Sequence, residues 1–211
     1  MGFASLYADS ELPFVLKQAK TLSMEECEDI YNYMDVNRPQ TILEFGTQYG
    51  CSTRVFLEIS KWLDYKVDVH SWDIIDSVQA RCVSKQNFTF HLENMEGKEK
   101  EMFDLYKPDF LFLDAHAYGM TRKIMQECLK RKVSFAAHDI YLPAFEESKK
   151  LTKNFTDFSV YVNWEIYLLG DLISKTLWEV DSYEDEFVRV DCTRKPGGYG
   201  LAIIKVKEGR N

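Results

Sequence analysis

The chain has 211 residues, of which 45% are hydrophobic and 14% aromatic, enough for one domain with a sizeable core. Its formal net charge of -8 opposes a broad phosphate-neutralising surface, so no nucleic-acid partner is expected and small-molecule substrates fit better. Cys27, Cys51, Cys82, Cys128 and Cys192 form no CxxC pair, and no apolar run approaches the ~18 residues of a membrane span. They read as reduced thiols of a cytoplasmic protein with no membrane partner.

Residues 1–40 precede the first strand and read as an N-terminal helical extension of a domain covering 41–211. Ser23-Met24-Glu25-Glu26 is a capping-box pattern, and Cys27, Ile30, Tyr31 and Met34 follow at helical spacing. The spacing predicts a helix from about Met24 to Val36, lying across the sheet edge or over the ligand cleft. Arg38-Pro39 ends it, because the residue before proline is pushed out of the α region.

The stretch from Thr41 to Thr53 organises the rest. A short apolar run reaches Glu44-Phe45-Gly46, a second glycine follows at Gly50, and Ser52 opens a segment with Val55, Phe56, Ile59 and Leu63 at helical spacing. This is strand, tight turn, helix. Gly46 and Gly50 let the backbone bend and approach a ligand while the amides of the next helix point at it. Glu44 sits at the carboxyl end of the strand, where open α/β sheets bind ligands, and an acid there suits a cationic ligand. The spacing is neither the G-x-G-x-x-G of dinucleotide folds nor a P-loop.

Lys66 to Asp73 alternates as a second strand and ends in an acid 29 residues after Glu44, one strand-helix unit on. Asp73 is placed to accept hydrogen bonds from ribose hydroxyls, with Asp76 as a nearby competitor. Ser77 to Gln86 reads as a short helix, Phe88 to Leu92 as a third strand, and Glu93 or Asn94 at its end as an adenine contact or a polar loop. Gly97 to Lys107 is charged and reads as a solvated helix or loop.

Pro108 to Asp114 is a hydrophobic strand ending in an acid, followed by Ala115-His116 and a helix through Ile124, Met125, Cys128 and Leu129. Val133 to Ala137 is the next buried strand, ending at His138-Asp139. Asp114 and Asp139 are 25 residues apart, which brings both acids to one carboxyl edge. Two carboxylates suit Mg²⁺, and a histidine titrating near neutrality suits removal of a proton from a bound hydroxyl. His116 and His138 are the candidate bases; capping of the following helices by the two acids is the alternative.

Phe145 to Lys153 reads as a helix or lid loop, and Tyr161 to Leu169 is ambiguous. Phe187 to Asp191 and Gly200 to Val206 form a hairpin pattern around a glycine-rich turn. Trp164, Tyr167, Trp178 and Tyr183 are pocket candidates, although aromatics at such positions are more often core.

Glu44-Phe45-Gly46 to Gly50, Asp73, Phe110 to Asp114, and Ala137-His138-Asp139-Ile140 together resemble the class I S-adenosylmethionine (SAM) methyltransferases. Within them, the chain is most similar over about residues 40 to 142 to the metal-assisted small-molecule group of macrocin O-methyltransferase and the cephalosporin hydroxylase-like proteins. The resemblance implies a Rossmann-like α/β domain, a seven-stranded mostly parallel sheet with helices on both faces and a C-terminal antiparallel hairpin. It implies a SAM-dependent O-methyltransferase acting on a small hydroxylated molecule with Mg²⁺; a homodimer is compatible with it. The SAM site would comprise Glu44, Gly46, Thr47, Gly50, Ser52, Asp73, Asn94 and Asp114, and the metal site Asp114, His138 and Asp139, with His116 and His138 as bases. Two features depart from the pattern. That group's acid-Gly-acid-His run is shortened here to Asp114-Ala115-His116, and its Lys-Pro-Gly-Gly turn before the fifth strand is replaced by Leu129-Lys130-Arg131-Lys132. A metal-independent methyltransferase and a non-catalytic SAM- or nucleotide-binding module are the alternatives.

Overall fold

A computed structural model describes residues 2–19, 21–76, 87–115, 117–140, 164–174, 181–193 and 200–208. Three helices open the chain: α1 (Phe3–Ala8), α2 (Leu12–Ala19) and α3 (Met24–Asn37). The capping box forms as the sequence predicts. Glu26 N–H donates to Ser23 Oγ at 3.2 Å, the Glu26 carboxylate accepts from Ser23 N–H at 2.5 Å, and α3 ends at Arg38 in the left-handed conformation.

Strands and helices then alternate: β1 (Thr41–Phe45), α4 (Cys51–Trp62), β2 (Asp68–Asp73), β3 (Phe88–Leu92), α5 (Glu99–Tyr106), β4 (Phe110–Leu113), α6 (Tyr118–Arg131), β5 (Ser134–His138) and α7 (Trp164–Leu172). The sheet closes with β6 (Ser182–Glu184), β7 (Val188–Thr193) and β8 (Leu201–Val206). Strand order is β3-β2-β1-β4-β5-β8-β7-β6. The first five strands in space run parallel, and β8, β7 and β6 are antiparallel additions.

Alternation along the strands builds a core on each face. On one face Ile42, Phe110 and Phe112 meet Val55, Phe56 and Ile59 of α4, with Leu12, Cys27, Ile30 and Met34 of the N-terminal helices in the same cluster. On the other, Leu43, Phe45, Leu111, Leu113 and Phe135 meet Met102 and Phe103 of α5, Ile124 and Met125 of α6, and Leu168 and Leu169 of α7. Helix α3 lies beside α4 and over β7 and β8, on the sheet face rather than across its edge.

The described sheet has eight strands where the resemblance implied seven. The additional β6 is three residues long, too short for a period-2 signal, and is recruited at the edge by pairing Tyr183 with Val190. The charged segment 97–107 contains α5, which buries Met102 and Phe103 and is therefore an amphipathic core helix rather than a solvated one. The ambiguous stretch 161–169 carries the start of α7. The expected helix at 77–86, the lid at 145–153, Trp178 and His116 lie outside the described residues. Nothing in the described part is a helix long and apolar enough to cross a membrane. Among the described residues, Cys27, Cys51 and Cys128 are buried thiols.

Candidate active site

Parallel register decides what meets at the carboxyl edge. Phe45 lies opposite both Trp72 and Leu113, and Leu113 lies opposite Ala137. The next residue on each strand, Gly46, Asp73, Asp114 and His138, therefore falls in one row across four neighbouring strands. Above the row is a cavity of about 830 Å³ lined by Gly46, Gln48, Asp73, Asn94, Asp114, His138 and Asp139, with Trp72, Ile74, Met95 and Met120 among its apolar walls. That size and mixed lining are typical of a small-molecule site.

The glycine turn closes on the strand beside it. Gly46 has φ +91°, and its N–H donates to the Trp72 carbonyl at 2.9 Å. A Cβ at this position would stand 2.2 Å from the main-chain oxygen of Asp114, so no other residue fits without moving β4. Gly50, at φ +72°, is the N-cap of α4. Asp73 holds the far side of the turn: one carboxylate oxygen accepts from Gln48 N–H at 2.8 Å and the other from Ile75 N–H at 2.9 Å.

Glu44 occupies a different place from the one expected of a ligand contact. It shares its strand face with Ile42, pointing toward α4, and is completely buried. Its carboxylate accepts from the hydroxyls of Ser52, Thr53 and Ser71, and Ser71 also meets Thr47. Burial pushes its pKa up to about 7, although the three hydroxyl donors pull the other way. Glu44, Thr47 and Ser52 thus knit β1, β2 and the start of α4 beneath the turn. Glu44, Thr47, Gly50 and Ser52 do not line the large cavity, whereas Gly46, Asp73, Asn94 and Asp114 do. Asn94 Oδ1 accepts from Glu96 N–H at 3.0 Å, which fixes the loop after β3.

At the other end of the row, Asp114, His138 and Asp139 place ligand atoms within 4.8 Å of one another. His138 Nδ1 is 3.3 Å from Asp114 Oδ2 and 3.2 Å from Asp139 Oδ1. Asp139 takes a left-handed backbone, φ +59°, which aspartate tolerates and which turns its carboxylate back toward His138. Burial of His138 disfavours the imidazolium, but the Asp114 charge and hydrogen bond, with Asp139 and Glu26, outweigh it and raise its pKa to about 9. Standing between the two carboxylates, His138 has its protonated form favoured.

Gln48, Thr21, Trp72 and Tyr118 line the cavity without having been singled out from sequence. Trp72 precedes Asp73 and stacks on His91 at 4.3 Å between ring centroids. Ser71 sits opposite Glu44 in the register, a signal readable only once the strands are paired. Tyr183 donates to Asp185 at 2.6 Å and packs against the core without lining the cavity.

No protein-family profile matches the chain, and no curated protein matches it in sequence. Solved structures do match. A Staphylococcus aureus protein described as a caffeoyl-CoA O-methyltransferase superposes with TM-score 0.68 at 16% identity, over 95% of this chain and 94% of that one. The Bacillus cereus O-methyltransferase in complex with SAH gives TM-score 0.60 at 15% identity, over 94% and 91%. This is a class I methyltransferase fold. The methyltransferase fold extends to the MycE methyltransferase of the mycinamycin biosynthetic pathway, solved with Mg and SAH. That match has TM-score 0.53 at 14% identity and covers 86% of this chain but 48% of that one. In this methyltransferase fold, β8, β7 and β6 extend the sheet beyond β5, and the row from Asp73 to His138 is its carboxyl edge.

Proposed function

We propose that this chain is a SAM-dependent O-methyltransferase acting on a small hydroxylated molecule, with a divalent cation, Mg²⁺ in the first instance, at the Asp114/Asp139 pair. One observation carries the reading: the Gly46 turn, the strand-end acid Asp73 and the Asp114/His138/Asp139 cluster open into one cavity of about 830 Å³. Neighbours of this fold are named as methyltransferases, and the Bacillus cereus O-methyltransferase and MycE were solved with SAH.

SAM suits this cavity. Gly46 leaves the backbone open to a close-lying ligand, Asp73 offers carboxylate oxygens to ribose hydroxyls, and Trp72, Ile74 and Met95 give an apolar wall for the base, with Asn94 at its edge. Glu44, Thr47, Gly50 and Ser52 serve the cofactor by holding the turn in place. The donor set at Asp114 and Asp139 suits Mg²⁺, which takes one or two carboxylates and fills its remaining positions from water and substrate. When bound, a divalent cation makes a substrate hydroxyl more acidic. A protonated His138 offsets one of the two carboxylate charges and becomes a base only after losing its proton; His116, the other candidate base, completes the proposal. The helical segment 1–40 is assigned as an extension of the 41–211 domain, and the protein as cytoplasmic.

A metal-independent variant of the same reaction is favoured by one contact. His138 Nδ1 already reaches both carboxylates, at 3.3 and 3.2 Å, and when protonated offsets one of their charges. Calorimetric titration with SAH, with and without Mg²⁺, tests the proposal. Micromolar binding supports it, and methyl transfer that persists in EDTA selects the metal-independent form. Absence of SAH binding under both conditions would refute the methyltransferase reading.

A further inference from the structure

Resting on the methyltransferase reading, we infer that His91 is a positioning residue of the cofactor site. It holds the Trp72 indole, and through Trp72 the Gly46 turn, in the place that receives the adenosine end of SAM.

Register puts Phe45, Trp72 and His91 directly opposite one another on β1, β2 and β3, so their side chains share one face of the parallel sheet. At about the spacing of the strands the three rings stack. Ring centroids are 5.3 Å apart and the planes 12° apart between Phe45 and Trp72, against 4.3 Å and 10° between Trp72 and His91. Trp72 is the middle ring, and His91 the outer one on the edge strand β3. His91 is itself braced: its Nε2 lies 3.4 Å from His70 Nδ1. Tyr106 of α5 packs against His70 at 4.4 Å between centroids and sets its edge against Trp72 at 5.4 Å. Burial holds both imidazoles below their usual pKa, which favours neutral rings, each with one donor and one acceptor nitrogen, as a bond between them requires.

What the stack positions is one wall of the cavity and the turn beside it. Trp72 is 3% exposed and lines the cavity. Its carbonyl accepts from Gly46 N–H at 2.9 Å and from Thr47 N–H at 3.3 Å, and the next residue is Asp73, which accepts from Gln48 N–H. A shift of Trp72 therefore carries the turn and the ribose acid with it. Deleting the outer ring leaves the indole without its stacking partner on β3, whereas a phenyl ring there keeps the stack and gives up only the bond to His70.

The test uses the whole chain, as parent, His91→Ala and His91→Phe, at a temperature where circular dichroism shows all three folded. Each is titrated calorimetrically with SAH and with methylthioadenosine, which lacks the amino-acid end. His91→Ala is expected to weaken both ligands by a common factor of about threefold to tenfold, and His91→Phe to restore both to within about twofold of the parent. The common factor places the loss at the adenosine end, and rescue by phenyl while the melting temperature stays below that of the parent separates positioning from stability. His91→Leu, which fills the space without a stacking ring, takes the place of His91→Ala if that variant does not fold. Parent-like affinity without the ring overturns the inference, as does binding by His91→Phe as weak as that of the ringless variant, or a loss confined to SAH. Failure of the parent to bind SAH would instead overturn the methyltransferase reading itself.

Discussion

An atom placed at the missing Cβ of Gly46 would lie 2.2 Å from the main-chain oxygen of Asp114 and 2.5 Å from its carbonyl carbon. The ends of β1 and β4 are therefore packed backbone to backbone, and the glycine that opens the turn also sets the height of Asp114 in the cavity. Gly46→Ala adds this clash to an unfavourable φ of +91°. It should cost roughly 3 kcal/mol or more, because the obstacle is main chain and cannot swing aside. Thermal unfolding measures it, and a variant as stable as the parent would show that β4 yields more readily than the packing implies.

Asp114→Asn and Asp139→Asn should separate the two halves of the site. Each removes a carboxylate from the edge that faces His138 while leaving the Gly46 turn and Asp73 intact. Mg²⁺-dependent methyl transfer is expected to fall by roughly 10²-fold or more, with SAH affinity within about threefold of the parent. Full activity of both variants in EDTA would remove the metal from the mechanism.

Asp73 has both a structural and a ligand-binding role, and two substitutions tell them apart. Asp73→Ala loses the acceptors for Gln48 and Ile75 N–H together with any ribose contact, so SAH affinity should drop by about tenfold to a hundredfold with some loss of stability. Asp73→Asn keeps one acceptor oxygen and should recover stability more than affinity. If the two variants bind SAH as the parent does, the ribose assignment is wrong.

The buried Glu44 carboxyl gives stability a pH dependence of definite sign. Its pKa rises from 4.5 unfolded to about 7 folded, so the native state holds the proton more tightly. Its contribution is fully present below pH 4.5, declines as pH rises toward 7 and is lost above that, by an amount on the order of 1–3 kcal/mol. Glu44→Gln, which cannot ionise, should flatten the melting temperature between pH 5 and 7. An unchanged slope in this variant would place the titration elsewhere.

At the N-terminus, Ser23→Ala removes the hydroxyl that accepts from Glu26 N–H and should cost about 1 kcal/mol. For a chain of this size that is a fall of roughly 2–4 °C in melting temperature. SAH affinity should not change, since Ser23 does not line the cavity.

Local chemistry alone determined much of this protein. The glycine turn, the strand-end acids Asp73 and Asp114 and the capping box at Ser23 were legible because backbone conformation, hydrophobic period and cap geometry each act over a few residues. The edge strand β6 was not legible, because three residues carry no period and gain their conformation from pairing with β7. The burial of Met102 and Phe103 was obscured by the charges that precede them. Only the tertiary structure decided which way Glu44 points. An acid near the end of a strand looks the same whether it faces a ligand or a helix, and alternation from Ile42 turned this one toward Ser52, Thr53 and the opposing Ser71. The charge of His138 was decided in the same way, since a histidine's proton depends on the carboxylates around it and the sheet register brings Asp114 beside it.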